Sequence, residues 1–130
     1  MSNLLTNCQK SIKMSSQNDI FLQRLNVHIE EHLSDTTFNV THLLRGIGMS
    51  RTDLHRKLAA KSGMSTTEYI RYIRVQHAAL LLTNQPEWSL TQIAYEVGFS
   101  SLSYFTRTFI EVFGICPSVY RKSLYALEHT

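Results

Sequence analysis

The chain has 130 residues, of which 43% are hydrophobic and 18% charged, with only two prolines and five glycines. That length suits one domain, or two small subdomains sharing a connector; the apolar content excludes wholesale disorder, and so few breakers favour long helices over a many-turned β fold. The net charge of +3 is mild, and Cys8 and Cys116 form no CxxC pair, so neither a disulfide framework nor a zinc finger is supported.

Residues 1–18 are polar and carry no continuous apolar run. They read as a flexible lead-in, neither signal peptide nor membrane span, which makes the cytoplasm the default location. From Ile20 the residues Ile20, Leu22, Leu25, Val27, Ile29 and Leu33 approximate a helical period, and Ser34-Asp35-Thr36-Thr37 ends it. Within this helix His28-Ile29-Glu30-Glu31-His32 fits H-x-x-E-H, an inverted zinc-protease pattern whose two histidines share a helix face. No third ligand stands in a suitable context, and the same residues serve as the wet face of the helix, so no metal is assigned.

The following starts carry clear capping signals. Asn39 caps a short helix, with Phe38 and Leu43 as a hydrophobic staple, and Gly48 breaks it. Ser50 caps the next, with Asp53 as its capping-box partner, and Gly63 ends it in a left-handed cap. Ser65 and Glu68 form a box for a third helix running to about Leu82, with Met64 and Tyr69 as its staple. The same grammar then returns. Trp88, Ser89 and Gln92 supply staple, cap and box; Gly98 breaks the short helix; Ser100 or Ser101 starts another; Gly114 ends it; and Pro117 opens a short last helix at the first-turn position that proline tolerates.

These segments form an internal repeat. Gly48-Met49-Ser50 corresponds to Gly98-Phe99-Ser100, and after one extra residue Leu54, Arg56, Leu58, Gly63 and Tyr69 match Phe105, Arg107, Phe109, Gly114 and Tyr120 at a constant offset of 51. Each copy is a short helix, a glycine-containing turn and a longer helix, the helix-turn-helix pattern. On the longer helices Leu54 and Leu58, and Phe105, Phe109 and Val112, face inward. The opposite stripes are Thr52, His55, Arg56 and Ala59, and Ser103, Thr106, Arg107 and Ile110, each with one arginine at the same place. A single surface arginine means little. Two at equivalent points of a repeated helix-turn-helix suit the major groove, where a guanidinium bonds guanine O6 and N7 in a fork.

Residues 45–74 hold seven basic groups against two acidic ones, a basic centre on a chain whose remainder is slightly acidic. Phosphate contacts are expected at helix starts, Asn39 and Thr41 in the first copy and Ser89, Thr91 and Gln92 in the second. Charge is expected from Arg51, Lys57 and Arg121, with Lys61 and Arg71 as further sources. On the connecting helix, about 66–82, Ile70, Ile73, His77 and Leu81 form the expected buried stripe, with Arg74 beside it pairing an acid. The units fall at about 39–63 and 89–114, inside a domain of 19–123 with a tail at 124–130. Without a phosphate loop or nucleophile elbow, the chain reads as a non-enzyme without a cofactor. A protein-interaction bundle remains the alternative, though it does not explain the paired arginines.

Three stretches resemble the AraC/XylS-type regulators over roughly residues 20–122. They are Ile93-Ala94-Tyr95-Glu96-Val97-Gly98-Phe99, Tyr104-Phe105-Thr106-Arg107-Thr108-Phe109, and Phe113-Gly114-Ile115-Cys116-Pro117-Ser118-Val119-Tyr120-Arg121. Met49 to Leu58 is also similar, above all to output domains of Bacteroidetes hybrid two-component regulators. The resemblance implies an all-α, seven-helix domain with two helix-turn-helix subdomains joined by a long helix, placing base contacts at Thr52, His55, Arg56, Ser103 and Arg107. It implies a bacterial transcription regulator acting on double-stranded DNA and, as an activator, on RNA polymerase, though activation against repression depends on where the site lies. A sensing or dimerisation domain is expected outside these residues. Ala59 and Ile110 depart from the family, which usually carries lysine there; the loss lowers nonspecific affinity, and Ile110 instead suits a thymine methyl.

Overall fold

The computed structural model describes residues 19–128, with side chains to residue 124, and the 1–18 segment lies outside it. Seven helices and no strands make up the described residues. α1 (Ile20–Glu31) starts at Asp19, whose carboxylate accepts from the Leu22 N–H at 3.1 Å. Its buried face is Leu22, Leu25 and Ile29; Ile20 and Val27, counted in the sequence stripe, are 73% and 51% exposed. The period identifies the helix, but apolar residues lie on both of its sides.

α2 (Val40–Ile47) and α3 (Arg51–Ser62) form the first helix-turn-helix. Asn39 accepts from the His42 N–H at 3.2 Å and the His42 ring accepts from Asn39 N–H at 3.2 Å, so a histidine closes this capping box. Gly48 occupies the left-handed region at φ 69°, letting the chain reverse into α3 without steric cost. Ser50 accepts from Asp53 N–H at 3.1 Å, but the Asp53 carboxylate turns to Arg56 instead of completing a box.

α4 (Thr66–Asn84) has 19 residues, about 28 Å of helix at 1.5 Å per residue, and runs two residues past the end read from sequence. The Ser65–Glu68 box opens it. α5 (Leu90–Glu96), opened by the Ser89–Gln92 box, and α6 (Leu102–Phe113), capped by Ser101, form the second helix-turn-helix. α7 (Pro117–Glu128) has 12 residues, so it is not short, and it runs through most of the stretch read as a tail. Cys116 stands just before it, bonded to Ser118 Oγ at 3.3 Å, a local contact at the helix start.

Two cores result, and α4 belongs to both. Its first half, with Tyr69, Ile70 and Ile73, packs with α1–α3 around Leu25, Leu43 and Leu58. Its second half, with Val75, Ala78 and Leu82, packs with α5–α7 around Ile93, Phe105 and Phe109. A helix enclosed from several sides is buried on more than one stripe. The narrow stripe read from sequence therefore holds only at Ile70 and Ile73; His77 and Leu81 are half-buried, and His77 reaches Glu30 of α1 at 3.0 Å.

Candidate nucleic-acid interface

Burial orients the two longer helices of the repeat. Leu54 and Leu58 on α3, and Phe105 and Phe109 on α6, are fully buried. Because helix faces repeat at 3.6 residues, the opposite positions must point outward. Thr52, His55 and Arg56 are exposed on α3, and Ser103, Arg107 and Ile110 on α6, while Ala59 and Thr106 are half-buried. The arginines occupy equivalent places in the two units. Each longer helix ends at a left-handed glycine, Gly63 at φ 75° and Gly114 at φ 81°.

The arginines differ in what holds them. Arg56 Nη2 donates to the Asp53 carboxylate at 2.8 Å, with both side chains more than half exposed. Arg107 lies with Cζ 5.9 Å above the Tyr104 ring, a cation–π approach. That ring packs edge-on against Phe99 at 5.3 Å, and its hydroxyl accepts from Arg71 Nη1 at 3.4 Å. The hydroxyl contact raises the tendency of Arg71 to keep its proton. Tyr104 carries no role in the sequence pattern above; its signal is an aromatic one helical turn before the outward arginine.

The expected phosphate contacts fall into three groups. Asn39, Thr41 and Arg51 come together where α2 and α3 begin, with Arg51 Nη2 donating to Thr41 Oγ1 at 3.3 Å. Ser89, Thr91 and Gln92 are exposed at the start of α5, where Ser89 and Gln92 satisfy each other's N–H groups in the capping box. Lys57 is exposed, its ammonium 4.7 Å from the centre of the Phe21 ring, and Lys61 pairs with Asp19.

Arg121 is a correction. Its guanidinium is turned inward onto three carbonyls, two at the end of α4 and one in the loop to α5: Leu82 O at 3.3 Å, Gln85 O at 3.2 Å and Trp88 O at 2.9 Å. The negative end of a helix attracts a cation, which accounts for the guanidinium settling where α4 ends. Arg74 is a second correction. Its hydrogen bonds go to backbone carbonyls and not to an acid, and burial holds its proton affinity below the ordinary guanidinium value.

The H-x-x-E-H residues are drawn into local contacts. His32 Nδ1 meets the His28 carbonyl at 2.9 Å and its ring stacks on Phe38 at 4.9 Å. Among the described residues no group of three histidine, cysteine or acidic side chains is placed to hold a metal. No described helix is long and apolar enough to cross a membrane.

Two buried-faced helices with outward arginines, each preceded by a shorter helix and a tight turn, define a tandem helix-turn-helix domain of the DNA-binding class. A family model described as a helix-turn-helix domain matches residues 43–123. The chain is 33% identical over 110 residues to a histidine kinase of Formosa agariphila, covering 85% of this chain and 8% of that protein. It is 33% identical over 85 residues to the transcriptional regulator MtrA of Neisseria gonorrhoeae, covering 65% of this chain and 28% of that one.

Among solved structures, the C-terminal domain of AraT, a response regulator from Geobacillus stearothermophilus, superposes with a TM-score of 0.70 at 26% identity, covering 81% and 86% of the two chains. The DNA-binding domain of AdpA, solved with a target DNA, shares the fold with a TM-score of 0.66 at 24% identity over 96% of each chain. This chain belongs to the AraC/XylS-type family of helix-turn-helix DNA-binding domains. It spans well under a third of the length of the two curated relatives named.

Proposed function

We propose that this domain binds double-stranded DNA sequence-specifically as a tandem reader, α3 and α6 entering successive major-groove segments on one face of the duplex. The observation that carries the reading is the equivalence of Arg56 and Arg107, both exposed on helices whose other faces are buried. In this reading Thr52, His55 and Arg56 contact bases in one segment, and Ser103, Thr106 and Arg107 contact bases in the next. Ile110 meets a thymine methyl. Asn39, Thr41, Arg51 and Lys57 on one side, and Ser89, Thr91 and Gln92 on the other, hold phosphates and set the register. The two segments lie about one helical turn, ~34 Å, apart.

The wider protein is a transcription regulator in this proposal, with RNA polymerase as a second partner and a sensing or dimerisation domain acting on the reader. The match to part of a histidine kinase supports an output-domain role in a two-component system. Selection of bound duplexes from a random library, at two salt concentrations, tests the core of the proposal. Enrichment of two short blocks about one turn apart is the expected result. One block alone would leave a single reader, and no enrichment with binding lost at the higher salt would leave only a basic surface.

A further inference from the structure

Arg74 lies midway along α4 and is 5% exposed. Nη1 donates to Leu33 O and to Val97 O, both at 2.8 Å, and Nη2 donates to Asp35 O at 3.2 Å. Leu33 and Asp35 belong to the segment joining α1 to the first helix-turn-helix, whereas Val97 caps the end of α5 in the turn of the second. One side chain therefore binds both units. Gly98 shows how closely the turn shuts on it. A Cβ at Gly98 would stand 1.2 Å from Arg74 Nη1 and 2.3 Å from the Leu33 carbonyl, and the backbone there has φ +90°. Glycine is the residue that permits both the angle and the approach.

We propose that Arg74 is a positioning residue that fixes the distance and angle between the two recognition helices, by pinning the 33–35 segment and the α5–α6 turn to the middle of α4. The proposal deepens the tandem-reader function and rests on it for its DNA consequence. Each unit has its own core, and besides α4 only a narrow apolar seam joins them: Val112 of α6 packs against both cores and Leu33 against the second, contacts without direction that leave rocking about α4 to be restrained. A buried guanidinium restrains it directionally, because each donor that loses its carbonyl leaves part of a charge unsatisfied away from water. The partners are backbone carbonyls, which do not titrate, so the clamp does not depend on pH across the ordinary range.

The test uses spin labels on exposed positions of the two recognition helices, Ala60→Cys on α3 and Glu111→Cys on α6, in a chain with Cys8→Ser and Cys116→Ser. Pulsed dipolar spectroscopy reads the distribution of distances between them without DNA. A narrow distribution that at least doubles in width in Arg74→Met, with helical content retained, is the expected result. Arg74→Lys keeps the charge and loses the fork, and its width is expected in between. An unchanged width in either folded variant overturns the proposal.

Should Arg74→Met not fold, Arg74→Lys and Gly98→Ala approach the same contact from its two sides and are read the same way. Failure of all three to fold would make Arg74 a folding residue and also overturn the proposal.

The same proteins are then titrated against duplexes with the two blocks moved apart or together by one base pair, a rotation of about 35°. Native Arg74 is expected to prefer one spacing by tenfold or more, and Arg74→Met to bring that preference within twofold. Binding of Arg74→Met to an isolated block, per folded molecule, is expected to stay unchanged. A spacing preference kept by the variant overturns the clamp. Absence of any two-block preference with Arg74 intact would sink the tandem-reader function, while the label widths still decide the clamp.

Discussion

Replacing the two outward arginines separately should weaken specific DNA binding unequally. A well-placed bidentate arginine gives about 1–3 kcal/mol of discrimination, roughly 5- to 150-fold in affinity. Arg107 is approached by the face of Tyr104, which orders the guanidinium without neutralising it. Arg56 is ion-paired to Asp53 at 2.8 Å, with side chains 73% and 59% exposed. Such an exposed pair is worth about 0.2–1 kcal/mol, and that must be shared or surrendered when Arg56 enters the groove. Arg107→Ala is therefore expected to cost more than Arg56→Ala by about 0.2–1 kcal/mol.

Asp53→Ala removes a negative charge from the exposed face of α3, the face the proposed reader turns to the groove. It should raise affinity for any duplex and steepen the salt slope by about 0.9. In that background Arg56→Ala should become costlier by about the energy of the lost pair, which a double-mutant cycle isolates. Fluorescence anisotropy against the selected duplex, repeated with each block scrambled, measures all of this. The reasoning is refuted if either arginine variant, its helical content intact, binds within twofold of the parent. It is refuted equally if each variant relaxes preference at both blocks alike.

Three further outcomes follow from the packing and the charges. Phe109 is fully buried with the Phe113 and Tyr120 rings 4.6 and 5.4 Å away, so Phe109→Ala should cost about 3–5 kcal/mol in urea denaturation. A loss below about 1 kcal/mol would contradict this core assignment. Ile110→Lys, at a position 43% exposed on α6, should leave the fold unchanged and steepen the salt dependence of DNA binding by about 0.9, and an unaltered slope would place Ile110 away from the duplex.

Acid should weaken the fold through three carboxylates. Asp19 is held low by its bond from Lys61, Asp35 by the Thr37 hydroxyl, and Glu68 by the Ser65 N–H. A carboxylate depressed in the folded state stabilises above its unfolded value of about 4, and that stability is lost as pH falls through the lower folded value. Urea midpoints measured on either side of pH 4 should fall toward acid, and equal midpoints at pH 5 and pH 3 would count against these contacts.

The helices and their order are legible in the residues because capping is local. Asn39, Ser50, Ser65 and Ser89 each bond a backbone N–H three residues on, and that interaction needs no partner from elsewhere in the chain. The repeat at offset 51 is legible for the same reason, since equivalent caps and turns recur with the same residue types. The outward stripes follow from helical period once the apolar positions are fixed. What escapes the local pattern is also physical: the Asp53 carboxylate had two partners within reach, the Ser50 N–H and Arg56, and it takes the arginine.

The sequence by itself determined the all-α class, the two helix-turn-helix units and the outward place of Arg56 and Arg107. Only the tertiary structure decided where Arg74 and Arg121 turn. Arg121 reads as charge for a phosphate and Arg74 as the partner of an acid, yet each turns its guanidinium onto carbonyls 23 to 41 residues away in the chain. Charge, composition and period describe a side chain's own neighbourhood. Which backbone carbonyls stand beside it depends on where separate helices end in space, and that is set only when the two cores close on α4.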